Sequence, residues 1–133
     1  MSKPAVLSRE KEFIGDGNAT IVIRNFIAGI KGGATLNVDG YPHNTIRAGH
    51  VVIYDTINKE YKPMPLNEAG DAYGSLPANH RYAGVVMGNV LTSEPCVGIM
   101  YAGEVNDVAS PYSVESIMSD ITSALPQLVF MHD

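Results

Sequence analysis

Between Thr20 and Val108 the apolar residues come in short runs broken by glycine, proline and asparagine, which is the rhythm of a β-meander or small barrel. Thr20-Ile21-Val22-Ile23 is β-branched throughout, and Leu36-Asn37-Val38 alternates. Val51-Val52-Ile53-Tyr54 runs into the polar stretch Asp55-Thr56-Ile57-Asn58-Lys59 and returns as Glu60-Tyr61-Lys62-Pro63-Met64, which predicts a hairpin. Residues 67–75 are a loop by composition. Residues 82–87 and 97–101 predict two more strands, joined across Ser93-Glu94-Pro95. Gly84, Gly88 and Gly98 cost packing within such strands and predict bulges or tight bends at barrel corners.

The periodicity changes after Pro111. Val114, Ile117, Met118, Ile121 and Leu125 fall at helical spacing, forming a narrow apolar stripe over about 114–125. Ser113 is placed to cap its start, Glu115 suits the positive end of the helix dipole, and Pro126 stops it. Leu128-Val129-Phe130-Met131 then reads as a final short strand. So apolar an ending needs cover, either from its own sheet or from another subunit, which makes Val129, Phe130 and Met131 candidate oligomer contacts. Residues 1–17 are charged and polar, closed by Gly15-Asp16-Gly17, and read as a flexible arm with no core of its own. The expected architecture is mainly β (α+β): one barrel-like domain over 18–133, an N-terminal arm, one C-terminal helix and a short strand.

Composition narrows the function classes. A chain of 133 residues, 45% hydrophobic and with mean hydropathy +0.01, is an ordinary single globular domain rather than a disordered one. No apolar run approaches the ~18–20 residues that span a bilayer, and Ala5-Val6-Leu7 is too short for a signal-peptide core. Synthesis in the cytoplasm and no membrane partner are therefore expected. The net charge of -5 argues against a dedicated nucleic-acid binder. Charge is unevenly spread: five basic residues face three acidic ones up to Lys31, and four face eleven beyond it. A slightly basic arm thus leads an acidic body.

Candidate chemistry is sparse. His43, His50, His80 and His132 form no HxH, HxxxH or HExxH spacing, so no metal site follows from them. The single cysteine, Cys96, allows no internal disulfide and reads as a small buried hydrophobe without a histidine neighbour. Gly29-Ile30-Lys31-Gly32-Gly33-Ala34-Thr35 lacks the order of a phosphate loop and is expected to be a flexible turn. Seven tyrosines without interleaved basic residues point to core edges and subunit contacts rather than to a base-stacking platform. A faint Ala-Gly repeat recurs at Ala48-Gly49, Ala83-Gly84 and Ala102-Gly103, each followed by valine within two residues. It fits strands that enter a barrel by the same tight turn. No catalytic residue, cofactor or metal is expected.

Taken in order, Ile46-Arg47-Ala48-Gly49-His50-Val51-Val52-Ile53-Tyr54-Asp55, Tyr61-Lys62-Pro63-Met64, Tyr82-Ala83-Gly84-Val85-Val86 and Val97-Gly98-Ile99-Met100-Tyr101-Ala102-Gly103-Glu104-Val105 resemble phage head decoration proteins of the lambda type. The ending Ala124-Leu125-Pro126-Gln127-Leu128-Val129-Phe130 is similar to those of head-fibre or auxiliary capsid proteins. The resemblance implies a non-enzymatic homotrimer on the virion capsid surface. Its arm would add a strand to the major capsid protein through Ala5, Val6, Leu7, Phe13 and Ile14. Two features depart from the lambda pattern: the C-terminal helix, and an arm not rich in proline and threonine. They leave room for an anchor of a head fibre. A different class, a β-clip or barrel-sandwich module that binds a small molecule or carries a group on Lys59, also accommodates the Ala-Gly turns.

Overall fold

The computed structural model describes residues 21–132. Its frame is a six-stranded sheet built from β1 (Ile23–Thr35), β3 (Val51–Asp55), β4 (Glu60–Pro63), β5 (His80–Val86), β7 (Cys96–Asn106) and β8 (Leu128–Met131). β2 (Thr45–Ile46) and β6 (Val90–Leu91) form a separate two-stranded ribbon. The main path runs β1-β7-β5-β3-β4, antiparallel throughout, and β8 joins β7 in parallel. The sheet curls until its ends touch at one point. Just beyond β1, the Asn37 amide donates to the Tyr61 carbonyl of β4 at 2.8 Å, and Leu36 donates to Pro95 at 2.8 Å. The rest of that seam stays open, so the expected mainly β, barrel-like fold is present without a closed barrel.

Both faces of the sheet are covered, which explains why Val51-Val52-Ile53 is apolar without alternation. Val52 points into the curl with Leu36, Ile46, Ala83, Val86, Val90 and Ile99. Val51 and Ile53 point outward into a second core with Met64, Tyr82, Val85, Met100 and Val105. The C-terminal segment roofs that outer core. A 3₁₀ turn over Glu115–Ile117 runs straight into α1 (Met118–Ala124), and Val114, Ile117 and Ile121 are buried, as the stripe requires. The Ser113 hydroxyl accepts from the Glu115 amide at 3.2 Å, but the cap position of the 3₁₀ turn falls to Val114, which has no side chain able to cap it, so Ser113, expected as the cap, stands one residue before it.

β7 organises the sheet. β1 occupies one of its edges along almost the whole length, from Thr35↔Cys96 to Ile23↔Val105. The other edge is shared: β5 takes Met100 and Ile99, and β8 takes Gly103 through Asn106. Register shifts between Phe26 and Ala28 and between Ala28 and Gly29 bend the β1–β7 ladder so that this division fits. The glycine-rich stretch 29–35, expected as a flexible turn, is instead the second half of β1, since its partners on β7 satisfy its backbone. Thr20 lies outside the described residues, and β1 begins at Ile23 rather than earlier in the β-branched run. Leu36-Asn37-Val38 contributes one bridge and no strand.

The Ala-Gly repeat has a structural cause, though only one copy opens a strand. Gly49, at φ 92°, stands just before β3, whereas Gly84 (φ 152°) and Gly103 (φ 147°) lie inside β5 and β7. A Cβ on Gly84 would run into the Met100 carbonyl oxygen, and one on Gly103 into that of Asn25. Both positions combine a backbone conformation closed to side chains with a strand pressed against the empty face. Gly84 is thus a bulge glycine as expected, opposite the register shift between Val52 and Ile53. Gly98 lies at the register shift between Ile30↔Ile99 and Ala34↔Val97, an irregularity of the ladder as expected though not at positive φ, and Gly88 sits in the bend after β5. Replacing Gly84 or Gly103 with alanine is expected to destabilise the fold by at least about 2 kcal/mol in chemical denaturation. Gly88→Ala, where nothing lies within 4 Å of the added carbon, should fall within about 0.5 kcal/mol of the parent.

Candidate contact surface

The bulges in the β1–β7 ladder do more than bend it. Ile27 is the extra residue between the pairs Phe26↔Gly103 and Ala28↔Ala102, and Tyr101 the extra residue between Ala102↔Ala28 and Met100↔Gly29. Each is turned out of the core: Ile27 is 64% exposed and Tyr101 43%. A bulge re-aims the side chain it carries, and these two re-aim large apolar ones into solvent. On β8, alternation does the same. Leu128 is buried and Phe130 packs against the outer core, while Val129 (46%) and Met131 (39%) face out. Register places Val129 beside Glu104 and Glu104 beside Asn25, on the same three strands that carry Ile27 and Tyr101.

Of the candidate oligomer contacts, then, Val129 and Met131 are available, and Phe130 is turned mostly inward. Ile27 and Tyr101 were not foreseen, because their exposure comes from the register shifts of the β1–β7 ladder and not from a local sequence signal. Among the described residues nothing pairs with the outer edge of β8 or of Ile23–Thr35. The arm candidates Ala5, Val6, Leu7, Phe13 and Ile14 lie outside the described residues.

The titratable groups are dispersed. Asp55 ends β3 and knots the hairpin: its carboxylate accepts from the Ile57 and Asn58 amides at 2.9 and 3.0 Å and from Asn58 Nδ2 at 2.9 Å. Lys62 lies 3.4 Å and His80 Nε2 3.7 Å from it, the latter an ion pair only when the ring is protonated. Donation from Asn58 above all, together with Ile57 and Lys62, holds the Asp55 carboxyl well below the usual carboxylate range. Lys59 sits exposed in the same turn at φ 59°. Cys96, expected to be buried, is exposed because it stands at the first position of β7. His132 pairs with Asp107 at 2.9 Å on the surface. Among the described residues no three His, Cys, Asp or Glu side chains are grouped to hold a metal.

His50 differs from the other histidines. It is fully buried, and its ring meets the edges or faces of Tyr41, Tyr73 and Tyr112 at centroid distances of 5.6, 5.3 and 5.6 Å. Nε2 lies 3.0 Å from the Met64 carbonyl, so it carries the hydrogen, and Nδ1 faces no partner among the described residues. The Tyr73 hydroxyl accepts from the Val51 amide at 3.0 Å, tying the cage to β3. Burial lowers the His50 pKa to about 4, partly opposed by the Met64 bond. Burial likewise raises the Tyr41 and Tyr73 hydroxyls above their ordinary value.

Three clefts border this region, the largest a groove of about 660 Å³ between residues 37–43 and 63–70. The apolar bulge face stands apart from all three, since neither Ile27, Tyr101, Val129 nor Met131 lines any of them. No protein-family model, no curated protein and no solved structure matches the chain.

The histidine cage makes stability pH-dependent in a defined direction. The folded-state pKa of His50 lies below the ordinary value of about 6.5, so acid protonates the unfolded chain first. The His50 contribution, on the order of 3 kcal/mol, is complete above pH ~6.5 and lost as pH falls towards about 4. Urea midpoints at pH 7, 5.5 and 4 should fall steadily in the parent and much less in His50→Phe over that window.

Proposed function

We propose that the protein is a structural, non-enzymatic component of a phage virion that decorates or reinforces the capsid exterior, or anchors a head fibre there. In this reading it acts as a homotrimer, with the N-terminal arm engaging the major capsid protein. The observation that carries it is the outward face of Ile27, Tyr101, Val129 and Met131. Two bulges and one strand alternation place four large apolar side chains in solvent beside strand edges that have no partner among the described residues. Soluble monomers rarely keep such a face bare next to an open edge. Self-association covers it, and an assembled array multiplies individually weak arm contacts into a firm hold. The dispersed titratable groups favour a structural role over chemistry.

A small-molecule module remains the second reading because the groove of about 660 Å³ falls in the range of ligand pockets. It makes Lys59 the modification site if the module carries a group.

Light scattering on the purified chain separates the two. A trimer is expected, and Ile27→Asp with Val129→Asp should weaken its association at least about tenfold without loss of fold, since both residues are exposed. The trimer should co-sediment with shells of the major capsid protein encoded beside it, and removal of residues 1–17 should abolish this. A monomer at micromolar concentration that ignores such shells contradicts the proposal. Mass spectrometry showing a lipoyl or biotinyl adduct on Lys59 favours the second reading.

A further inference from the structure

We propose that the groove of about 660 Å³ between residues 37–43 and 63–70 binds a segment of the chain's own N-terminal arm, residues 3–9, in the free protein. This rests on the groove and on the arm's sequence, not on the capsid reading.

The first argument is the character of the groove. Its two walls carry on from the chain ends that meet at the Asn37–Tyr61 bond, so it occupies the open part of the sheet's seam. Four of the chain's eight prolines line it, Pro42, Pro63, Pro65 and Pro77, together with Ile53 and Leu66. Proline has no amide hydrogen, so an apolar segment laid over these walls strips water from few donors. The walls are also set in advance. Asn37 Oδ1 accepts from the Asp39 amide at 3.0 Å, and Asn67 Oδ1 from the Gly70 and Asp71 amides at 2.8 and 3.2 Å. The Gly74 amide donates to the Pro65 carbonyl at 2.8 Å. A preformed groove spares part of the ordering cost of binding, and one of this size has room for about four residues.

The second argument is charge. Asp39 stands on one wall and Glu68 on the other, both exposed, and neither pairs with a cation among the described residues. The lysine that lines the groove, Lys62, is already engaged with Asp55 at 3.4 Å. The matching occupant is apolar in its middle and cationic at both ends. Lys3-Pro4-Ala5-Val6-Leu7-Ser8-Arg9 has that order, with four apolar residues between two cations and no carboxylate.

The third argument is where the arm joins the fold. Val22 is buried against Gly49, whose missing side chain leaves the space that the Val22 methyl takes. The next residue, His50, holds its ring 5.6 Å from that of Tyr41, which lines the groove. The arm therefore starts beside the groove. The stretch from Glu10 to Thr20 can span ~36 Å, which is about the diameter of a domain of this size. A tether of that length holds residues 3–9 at on the order of 1 mM around the groove, so even weak intrinsic binding fills it.

Paramagnetic broadening of amide signals in the full chain tests this, with a nitroxide attached through Ser2→Cys in a Cys96→Ser background. Strong broadening is expected at residues 38–41 and 66–70, unchanged on tenfold dilution. Asp39→Lys with Glu68→Lys, both at exposed positions, should reduce it at least about threefold. Adding Lys3→Glu with Arg9→Glu to that variant should restore it, which no general disturbance of the groove would allow. Three results overturn the proposal: no broadening at those residues, no recovery on the second charge reversal, or broadening that arises only between nitroxide-bearing and isotope-labelled copies in a mixture. The last would mean that a second copy fills the groove.

Discussion

The close approach of β1, β5 and β8 to a single strand, β7, is the constraint on which the rest of this molecule depends. Antiparallel strands sit about 4.8 Å apart, and a strand that serves two partners on one edge must bend where they meet. Here the bend lies around Ala102-Gly103, with β5 on one side and β8 on the other. Gly84 and Gly103 make it possible by accepting backbone angles and carbonyl contacts that no side chain tolerates. Once β7 is bent, the sheet curls far enough for Asn37 to meet Tyr61, and its two faces become two cores.

The same bend has an outward consequence. Extra residues in a ladder have to point somewhere, and in β1 and β7 they are Ile27 and Tyr101. Polar residues there would leave the fold equally well bent, so bending alone does not account for their apolar character. In the proposed reading assembly accounts for it, which links that role to the fold's central irregularity rather than to a separate decoration of its surface. The His50 cage lies in another region, on the loops that cover the outer core, and is tied to the sheet through Tyr73 and β3.

Much of the fold could be read from residue patterns. The hairpin from Val51 to Pro63 follows from an apolar run meeting Asp55 and a polar turn, and the Asp55 carboxylate does close that turn. The helical stripe at Val114, Ile117 and Ile121 is buried as its spacing requires. What could not be read was pairing. Residues 29–35 look like a turn because glycines dominate locally, yet they form strand because β7 supplies partners some seventy residues away. Cys96 looks like a core residue by type and is exposed because it falls at a strand's first position. His50 offered no motif at all. Its cage is assembled from Tyr41, Tyr73 and Tyr112, three separate loops that only the folded chain brings together. The proposed contact face was half legible: Val129 and Met131 followed from strand alternation at an apolar ending, whereas Ile27 and Tyr101 needed the register shifts.

The account's central claim is that the bulged β1–β7–β8 face is the surface through which copies of this chain meet. Amide hydrogen exchange measured across a range of protein concentrations tests it most directly. The account predicts that protection at residues 23–28 and 128–131 rises with concentration, while β3, β4 and β5 exchange at concentration-independent rates. Exchange that does not depend on concentration at those two segments, in a range where light scattering detects oligomers, would contradict it.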